Sequence, residues 1–115
     1  MPIAPFIKPV TTGPHIIQLP ERLDATAAEE MEGNVLLALK IGAHDMLLDA
    51  SATTYMTAAG MRTFLVFARD VKAAGGKLAV CDLQPQPKEL FDACGMNAFV
   101  PAYSQPGEAV AQMAA

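Results

Sequence analysis

Two hydrophobic patterns alternate along this chain. Short apolar runs such as Met46-Leu47-Leu48 are typical of buried strands. From Ala58 onward the spacing changes, and the apolar residues fall on one helix face: Met61, Phe64, Leu65, Ala68 and Val71. This pattern ends at the Gly75-Gly76 pair, which suits a helix C-terminus.

The whole pattern predicts strands and helices in alternation. Residues 1–12 form an N-terminal edge segment whose prolines leave at most an edge strand around Phe6-Ile7. One domain is predicted over residues 13–115. Its strands are His15–Leu19, Met46–Ala50, Lys77–Asp82 and Ala98–Ala102, and its helices are Thr26–Leu39, Ala58–Ala74, Pro87–Ala93 and Pro106–Met113. Since helices connect the strands, we expect an α/β fold with a mixed, mostly parallel sheet of four to five strands and about four helices.

Local signals mark where the first two helices begin. Thr26 and Glu29 form a Thr-x-x-Glu capping box, after a turn over residues 20–24. The predicted core face of this helix is Met31, Val35, Ala38 and Leu39. Before the second helix, residues 51–54 are small and polar as in a turn, and Tyr55 and Met56 are predicted to return to the core. Thr57 then stands at the N-cap position.

The segment Thr57-Ala58-Ala59-Gly60-Met61-Arg62 resembles the Ser-Ser-Ala-Gly-Leu-Arg segment that opens the second helix of the STAS domain in anti-sigma-factor antagonists. The resemblance spans about residues 14–112, with these further segments in the family's order: Leu23–Ala27, Gly75–Leu78, Leu83–Pro85, Leu90-Phe91, Cys94–Met96, Phe99–Tyr103 and Glu108-Ala109. It implies a STAS-like single domain.

The chain departs from that family at the residue that a serine kinase modifies. The family's Ser two residues before the glycine is Ala58 here, and the preceding position, often Asp, is Thr57. Ala58 has no hydroxyl and cannot accept a phosphoryl group. Thr57 carries the nearest hydroxyl and is a phosphoacceptor candidate, because a phosphate there would meet the positive end of the helix dipole. Alternatively, Thr57 only caps the helix.

The resemblance implies an anti-sigma-factor antagonist, a protein-interaction module in bacterial partner switching. Its partner would be an anti-sigma factor of the serine-kinase type. The predicted partner-binding residues are Asp24, Ser51, Thr53, Thr54, Thr57, Ala58, Gly60, Met61 and Arg62. Arg69 shares a helix face with Arg62 and is interpreted as part of a solvated stripe. Alternatives are an accessory STAS subunit of an ABC-type transporter, a small-molecule or nucleotide sensor, and an unswitched scaffold. Homodimer formation is left open.

Composition and charge narrow the class of partner. The net charge is −4 and the eight basic residues are scattered, which argues against a nucleic-acid ligand. No run approaches the roughly 20 apolar residues of a membrane helix, so membrane insertion is not predicted. The first ten residues do not resemble a signal peptide, and a cytoplasmic location is the default expectation.

Nothing in the sequence predicts catalysis, a cofactor or a metal. Cys81 and Cys94 form no Cys-x-x-Cys motif, and both are interpreted as small buried hydrophobic residues. His15 and His44 have no nucleophile or carboxylate at a spacing that indicates a catalytic site. We therefore expect no enzyme activity.

Overall fold

A computed structural model of the chain describes residues 13–114. In this part of the chain the elements are β1 His15–Gln18, β2 Arg22–Leu23, α1 Ala25–Lys40, β3 Met46–Asp49, β4 Tyr55–Met56, α2 Ala58–Ala73, β5 Leu78–Cys81, α3 Pro85–Ala93, a 3-10 turn Met96–Ala98, β6 Ala102–Tyr103 and α4 Pro106–Ala114. The edge strand predicted around Phe6-Ile7 lies outside the described residues. None of the described helices is long and apolar enough to cross a membrane.

Every strand pairing among residues 13–114 is parallel. The main sheet has the order β1-β3-β5-β6, and β2 pairs with β4 in a separate two-stranded sheet. Helical crossovers account for this arrangement, since a parallel neighbour can be reached only over a face of the sheet. The predicted α/β fold, with its mostly parallel sheet and four helices, is confirmed. The short strand β2 lies in the segment predicted as a turn, and β4 follows the predicted turn over residues 51–54 without having been predicted as a strand.

The helices cover the main sheet unequally. Helices α1, α2 and α3 enclose the larger core on one face, where Leu48 and Val80 of the central strands meet Phe64 and Phe91. Helix α4 covers the other face, where a smaller cluster joins Leu47, Ala79, Cys81, Ala109 and Met113. Alternation along each strand sends neighbouring side chains to opposite faces, so the apolar runs of β3 and β5 supply both cores.

The N-cap of helix α1 lies two residues before the Thr26 that the capping box predicts, so that prediction is wrong. Its N-cap is Asp24, whose carboxylate accepts a hydrogen bond from the Ala27 N–H at 3.0 Å. Residues 22–23 are held extended in β2, so the chain turns into the helix at Asp24, and Thr26 lies exposed in the first turn. Of the predicted core face, Met31, Val35 and Ala38 are buried, and Leu39 is half-buried.

Helix α2 agrees closely with its predicted bounds, and Gly75 follows its end with φ +83°. Phe67, which the sequence analysis did not place on the core face, is fully buried. Leu65, which it did place there, is 38% exposed. This helix therefore presents a slightly rotated face to the core, and Leu65 is left at a surface groove described below.

The prediction of a strand at Ala98–Ala102 is wrong in its position. Ala98 belongs to the 3-10 turn, and β6 contains only Ala102 and Tyr103. Pro101 explains the difference, since it has no N–H to donate to β5. Its carbonyl still accepts from the Val80 N–H at 2.9 Å, and pairing continues from there. Helix α3 likewise begins at Pro85, two residues before its predicted start.

Candidate functional site

Hydrogen bonds hold the turn between β3 and β4 against the chain that precedes α1. The Asp49 carboxylate accepts from the Ser51 N–H at 2.9 Å, which closes the turn locally. The Thr53 hydroxyl, fully buried, donates to the Pro20 carbonyl at 2.7 Å. The Thr54 N–H donates to the Glu21 carbonyl at 2.8 Å. The bonds to Pro20 and Glu21 join segments more than 30 residues apart, and together with the local bond to Asp49 they fix the shape of the turn.

A close approach of backbone to backbone brings β2 against the first turn of α2. The Leu23 carbonyl accepts from the Thr57 N–H at 3.0 Å. A Cβ placed on Gly60 would lie 2.2 Å from the same carbonyl oxygen. Only glycine fits there, which gives a structural reason for the glycine in the Thr-Ala-Ala-Gly segment.

Thr57 caps α2, as predicted. Its backbone is extended, and its hydroxyl oxygen accepts from the Gly60 N–H at 3.0 Å. The same hydroxyl lies 3.5 Å from the Leu23 carbonyl, toward which its hydrogen points. The side chain is half-buried, whereas Ala58, the first residue of the helix, is exposed. The position at which the family carries its serine is thus open to solvent and has no hydroxyl.

An arginine and a tyrosine that the sequence analysis missed flank this helix start. The Arg22 guanidinium lies over the Tyr55 ring, 4.6 Å from its centroid, and 3.6 Å from the Asp24 carboxylate. Tyr55 is 40% exposed, so the prediction that it returns to the core is wrong. Alternation in the short strand β4 sends Met56 inward and Tyr55 outward. No local signal in the sequence marked the β2–β4 pair that places these two side chains side by side.

Electrostatics at this edge favour an ionised Asp24. The hydrogen bond from the Ala27 N–H lowers the pKa of this carboxyl below its ordinary value, and the nearby Arg22 charge lowers it further. A negative cap at the start of α1 is therefore retained at neutral pH, beside the exposed arginine.

The Gln86 side chain of α3 forms hydrogen bonds with β4 on the edge opposite β2. Its side-chain oxygen accepts from the Met56 N–H at 2.9 Å, and its nitrogen donates to the Met56 carbonyl at 3.0 Å. The side-chain amide thus supplies the acceptor and the donor that a neighbouring strand would otherwise supply to β4. This contact, 30 residues away in sequence, had no signal in the local pattern.

The predicted partner-binding residues lie at different depths. Ser51, Thr54, Ala58 and Arg62 are exposed, and Asp24 and Thr57 are half-buried. Thr53, Gly60 and Met61 are buried and support the surface from beneath. Arg69 lies two turns further along α2, exposed and 3.2 Å from the Asp70 carboxylate.

The two cysteines have different environments. Burial raises the pKa of the Cys81 thiol to about 11, with contributions from the charges of Asp49 and Asp82. Potential ligand atoms of these three residues lie within 4.8 Å of one another, and with this pKa the metal-free thiol stays protonated at neutral pH and is a poor nucleophile. Cys94 is exposed, so the prediction that it is buried is wrong. It caps the end of α3, where the chain has already passed the core.

Comparisons with known proteins agree on one family. A family model of the STAS domain matches residues 6–109. The candidate anti-sigma factor antagonist BtrV of Bordetella bronchiseptica is 27% identical over 79 residues, which are 69% of this chain and 68% of BtrV.

Solved structures of two other proteins show the same fold at low sequence identity. The unphosphorylated anti-sigma factor antagonist SpoIIAA of Bacillus superimposes with a TM-score of 0.74 at 21% identity, over 91% of each chain, and its phosphorylated form gives 0.66. A sulfate transporter family protein from Wolinella succinogenes gives 0.77 at 16% identity, over 92% of this chain and 88% of its own. The family match over nearly the whole chain, together with the glycine-dependent contact between β2 and the start of α2, leads to one conclusion: this chain belongs to the STAS domain family.

Proposed function

We infer that this protein is an anti-sigma-factor antagonist that acts by binding a protein partner. The observation that carries this inference is the first turn of α2, where Thr57 caps the helix and Ala58 is exposed at the family's serine position. The similarity to BtrV supports the same class of function. The likeness to the transporter family protein is one of fold alone and does not favour the transporter alternative.

We place the partner on a surface that we name the α2 N-terminal face. It contains the exposed or half-buried residues Arg22, Asp24, Ser51, Thr54, Tyr55, Thr57, Ala58 and Arg62. Tyrosine and arginine dominate the binding energy of many interfaces, so the stacked Arg22–Tyr55 pair is the anchor of this face. The exposed hydroxyls of Ser51 and Thr54 and the Arg62 charge complete this face.

We also propose that this protein binds its partner without being phosphorylated efficiently. Ala58 offers no acceptor oxygen, and the Thr57 hydroxyl is occupied by the Gly60 N–H. Phosphoryl transfer depends almost wholly on positioning, so an acceptor shifted by one residue and held in a cap reacts poorly. We propose that the protein stays in its binding form and is controlled by its abundance or by another input. The partner is an anti-sigma factor of the serine-kinase type, which places the protein in the cytoplasm.

The first prediction tests the acceptor position. A serine-kinase-type anti-sigma factor from the same organism with ATP should leave the unaltered protein almost unmodified, whereas Ala58→Ser should be phosphorylated at the new hydroxyl. Ala59→Ser is the matched control, because its hydroxyl points elsewhere around the same turn. Intact-mass spectrometry with site mapping measures the outcome.

Efficient modification of the unaltered chain at Ser51, Thr53 or Thr54 would place the switch in the turn and refute the proposal. Modification confined to Thr57 and abolished by Thr57→Ala would establish Thr57 as the acceptor instead.

The second prediction tests the surface itself. Thr57→Glu adds a negative charge to the α2 N-terminal face while a carboxylate remains tolerated at a helix N-terminus. We expect affinity for the anti-sigma factor to fall about tenfold or more by calorimetry, which corresponds to about 1.4 kcal/mol. Gln105→Glu, which adds the same charge before α4, should bind as the unaltered protein does. Equal affinities for both variants, with native melting curves, would place the interface elsewhere. A transporter ATPase bound in place of an anti-sigma factor would decide for the transporter alternative.

The proposal assigns no catalytic step to this chain. The exposed side chains of His15 and His44 lie on β1 and in the loop before β3, away from the α2 N-terminal face. The buried Cys81 is held in its unreactive thiol form. Hydrolysis of a nucleotide or an ester that disappears on changing Thr57 or either histidine would contradict this assignment.

A further inference from the structure

An open groove lies between the C-terminal half of α2 and helix α4, beside the short edge strand β6. Its volume is about 790 Å³. The base and walls are largely apolar, with Leu78, Ala79, Pro101 and Met113 among the lining residues. Phe99 at its rim is 61% exposed and Leu65 is 38% exposed, so apolar surface is left uncovered here.

The charged residues that line this groove are all basic; among them, Arg69 is paired with Asp70 at 3.2 Å, and the Lys77 Nζ donates to the Met113 carbonyl at 3.2 Å. Arg69, Lys72 and Lys77 line it, and no Asp or Glu does. The chain as a whole carries a net charge of −4 with only eight basic residues, so three of them gather at this groove against the overall balance. The Asp70 carboxylate near Arg69 does not itself line the groove. An occupant of the groove must therefore combine apolar surface with negative charge.

The shape of the groove indicates a helix as that occupant. Leu65, Ala68, Arg69 and Lys72 follow the spacing i, i+3, i+4, i+7 and form one wall about two turns long, roughly 10 Å. Gln112 and Met113 of α4 lie on the opposite wall. Because α2 and α4 pack on opposite faces of the sheet, the groove follows the sheet edge between them, and this edge can receive an amphipathic helix in the manner of a helix-in-groove complex. We propose that this groove docks an acidic amphipathic helix of a protein partner, with apolar anchors against Phe99 and Leu65 and carboxylates beside Arg69 and Lys72.

Segments of this chain are poor candidates for the groove. Residues 1–12 carry one lysine and no carboxylate, so their charge has the same sign as the rim. Two exposed apolar side chains, Leu37 in the last turn of α1 and Ile41 at its C-cap, lie close to Lys40 in sequence, and a second copy docked through them would bring one more cation to the groove. A separate acidic amphipathic helix would cover the exposed apolar residues and also pair with the basic residues of the groove.

This surface is distinct from the α2 N-terminal face. Ala58 and Lys72 are 14 residues apart on one helix, which corresponds to about 20 Å. A partner in the groove would leave the helix start accessible, so the inference does not depend on the proposed function.

The test uses the full chain and a fluorescein-labelled 16-residue helical peptide with leucines on one face and glutamates beside them. A second peptide carries lysine in place of every glutamate. Fluorescence anisotropy should show the acidic peptide binding at least tenfold more tightly than the basic one. The double variant Arg69→Glu/Lys72→Glu, and separately Phe99→Ser, should each weaken binding of the acidic peptide tenfold or more. Lys40→Glu is the matched control, since Lys40 lies in the last turn of α1 as Lys72 does in α2, and it should change binding less than twofold.

Equal binding of the two peptides would overturn the inference. So would an Arg69→Glu/Lys72→Glu variant that is folded by circular dichroism and binds the acidic peptide as well as Lys40→Glu does. Binding of decanoate without binding of the peptide would assign the groove to a small carboxylate instead. A dimer in sedimentation equilibrium that Phe99→Ser dissociates would assign it to a second copy. Failure of these peptide experiments would leave the Ala58→Ser result unaffected, so the two proposals are distinguishable.

Discussion

At the scale of single residues, the start of α2 depends on one atom, the Leu23 carbonyl oxygen. It accepts from the Thr57 N–H and lies 2.2 Å from the position that a Cβ of Gly60 would take. The cap, the missing Cβ and the short strand β2 therefore form one unit. Ala58, by contrast, is exposed at the first helical position, which is why a serine there would be tolerated.

The third prediction concerns this glycine. Gly60→Ala forces the Leu23 backbone to move, and we expect a loss of about 2 kcal/mol in the free energy of unfolding. Gly33→Ala is the matched control, because Gly33 lies inside α1 with nothing within 4 Å of an added Cβ. That change should stabilise the protein by about 0.5–1 kcal/mol through helix propensity. Urea denaturation measures both, and equal effects of the two changes would contradict the close approach.

At the scale of secondary structure elements, β4 is held from two directions. It pairs with β2 on one side, and the Gln86 side chain of α3 supplies both a donor and an acceptor on the other. A two-residue strand cannot be stable alone. Helix α3 thus positions the turn and the helix start without contributing to the α2 N-terminal face.

The fourth prediction removes this support. Gln86→Leu leaves the Met56 N–H and carbonyl without partners, and we expect the free energy of unfolding to fall by about 1–3 kcal/mol. Gln86→Glu keeps the acceptor and loses the donor, so its loss should be smaller at acidic pH, where the new carboxyl is protonated and can donate. Denaturation curves of this variant and of the unaltered protein at pH 4 and pH 7 distinguish the cases, because an ordinary glutamic acid has a pKa of about 4.3. A Gln86→Leu variant as stable as the unaltered protein would show that β4 does not need α3.

At the scale of the whole molecule, the sheet divides the protein into two cores of unequal size. The central strand β5 contributes to both and is fully covered, whereas the C-terminal end of α3 lies outside either core. Cys81 on β5 is therefore a probe of the buried sheet, and Cys94 after α3 is a probe of the exposed surface. The α2 N-terminal face and the groove likewise lie at opposite ends of one helix.

The fifth prediction uses the two thiols as probes. Cys94 should react with a thiol reagent within minutes in the folded protein, and Cys81 only as fast as the whole domain unfolds. Because Cys81 is buried and reacts only after unfolding, a low concentration of urea should accelerate its labelling much more than that of Cys94. Peptide mapping after timed labelling measures both rates. Equal rates for the two cysteines would contradict the burial of β5.

Local sequence determined the parts of this protein that depend on neighbouring residues. The apolar runs of β3 and β5, the helical spacing of α2, the Thr57 cap and the glycine that ends α2 all follow from contacts within a few residues. The missing serine hydroxyl at Ala58 is also a property of the sequence alone, as is the family resemblance.

Tertiary structure decided what depends on contacts about 30 residues apart. Pairing of β2 with β4 placed Arg22 over Tyr55 and moved the cap of α1 from Thr26 to Asp24. The Gln86 contact fixed β4, and packing at the edge of the sheet left Cys94 and Phe99 exposed. The groove exists only because α2 and α4 flank a strand that Pro101 keeps short. Hydrophobic periodicity records which side of an element is buried, but it does not record which distant segment covers that side, and both candidate binding surfaces depend on that second fact.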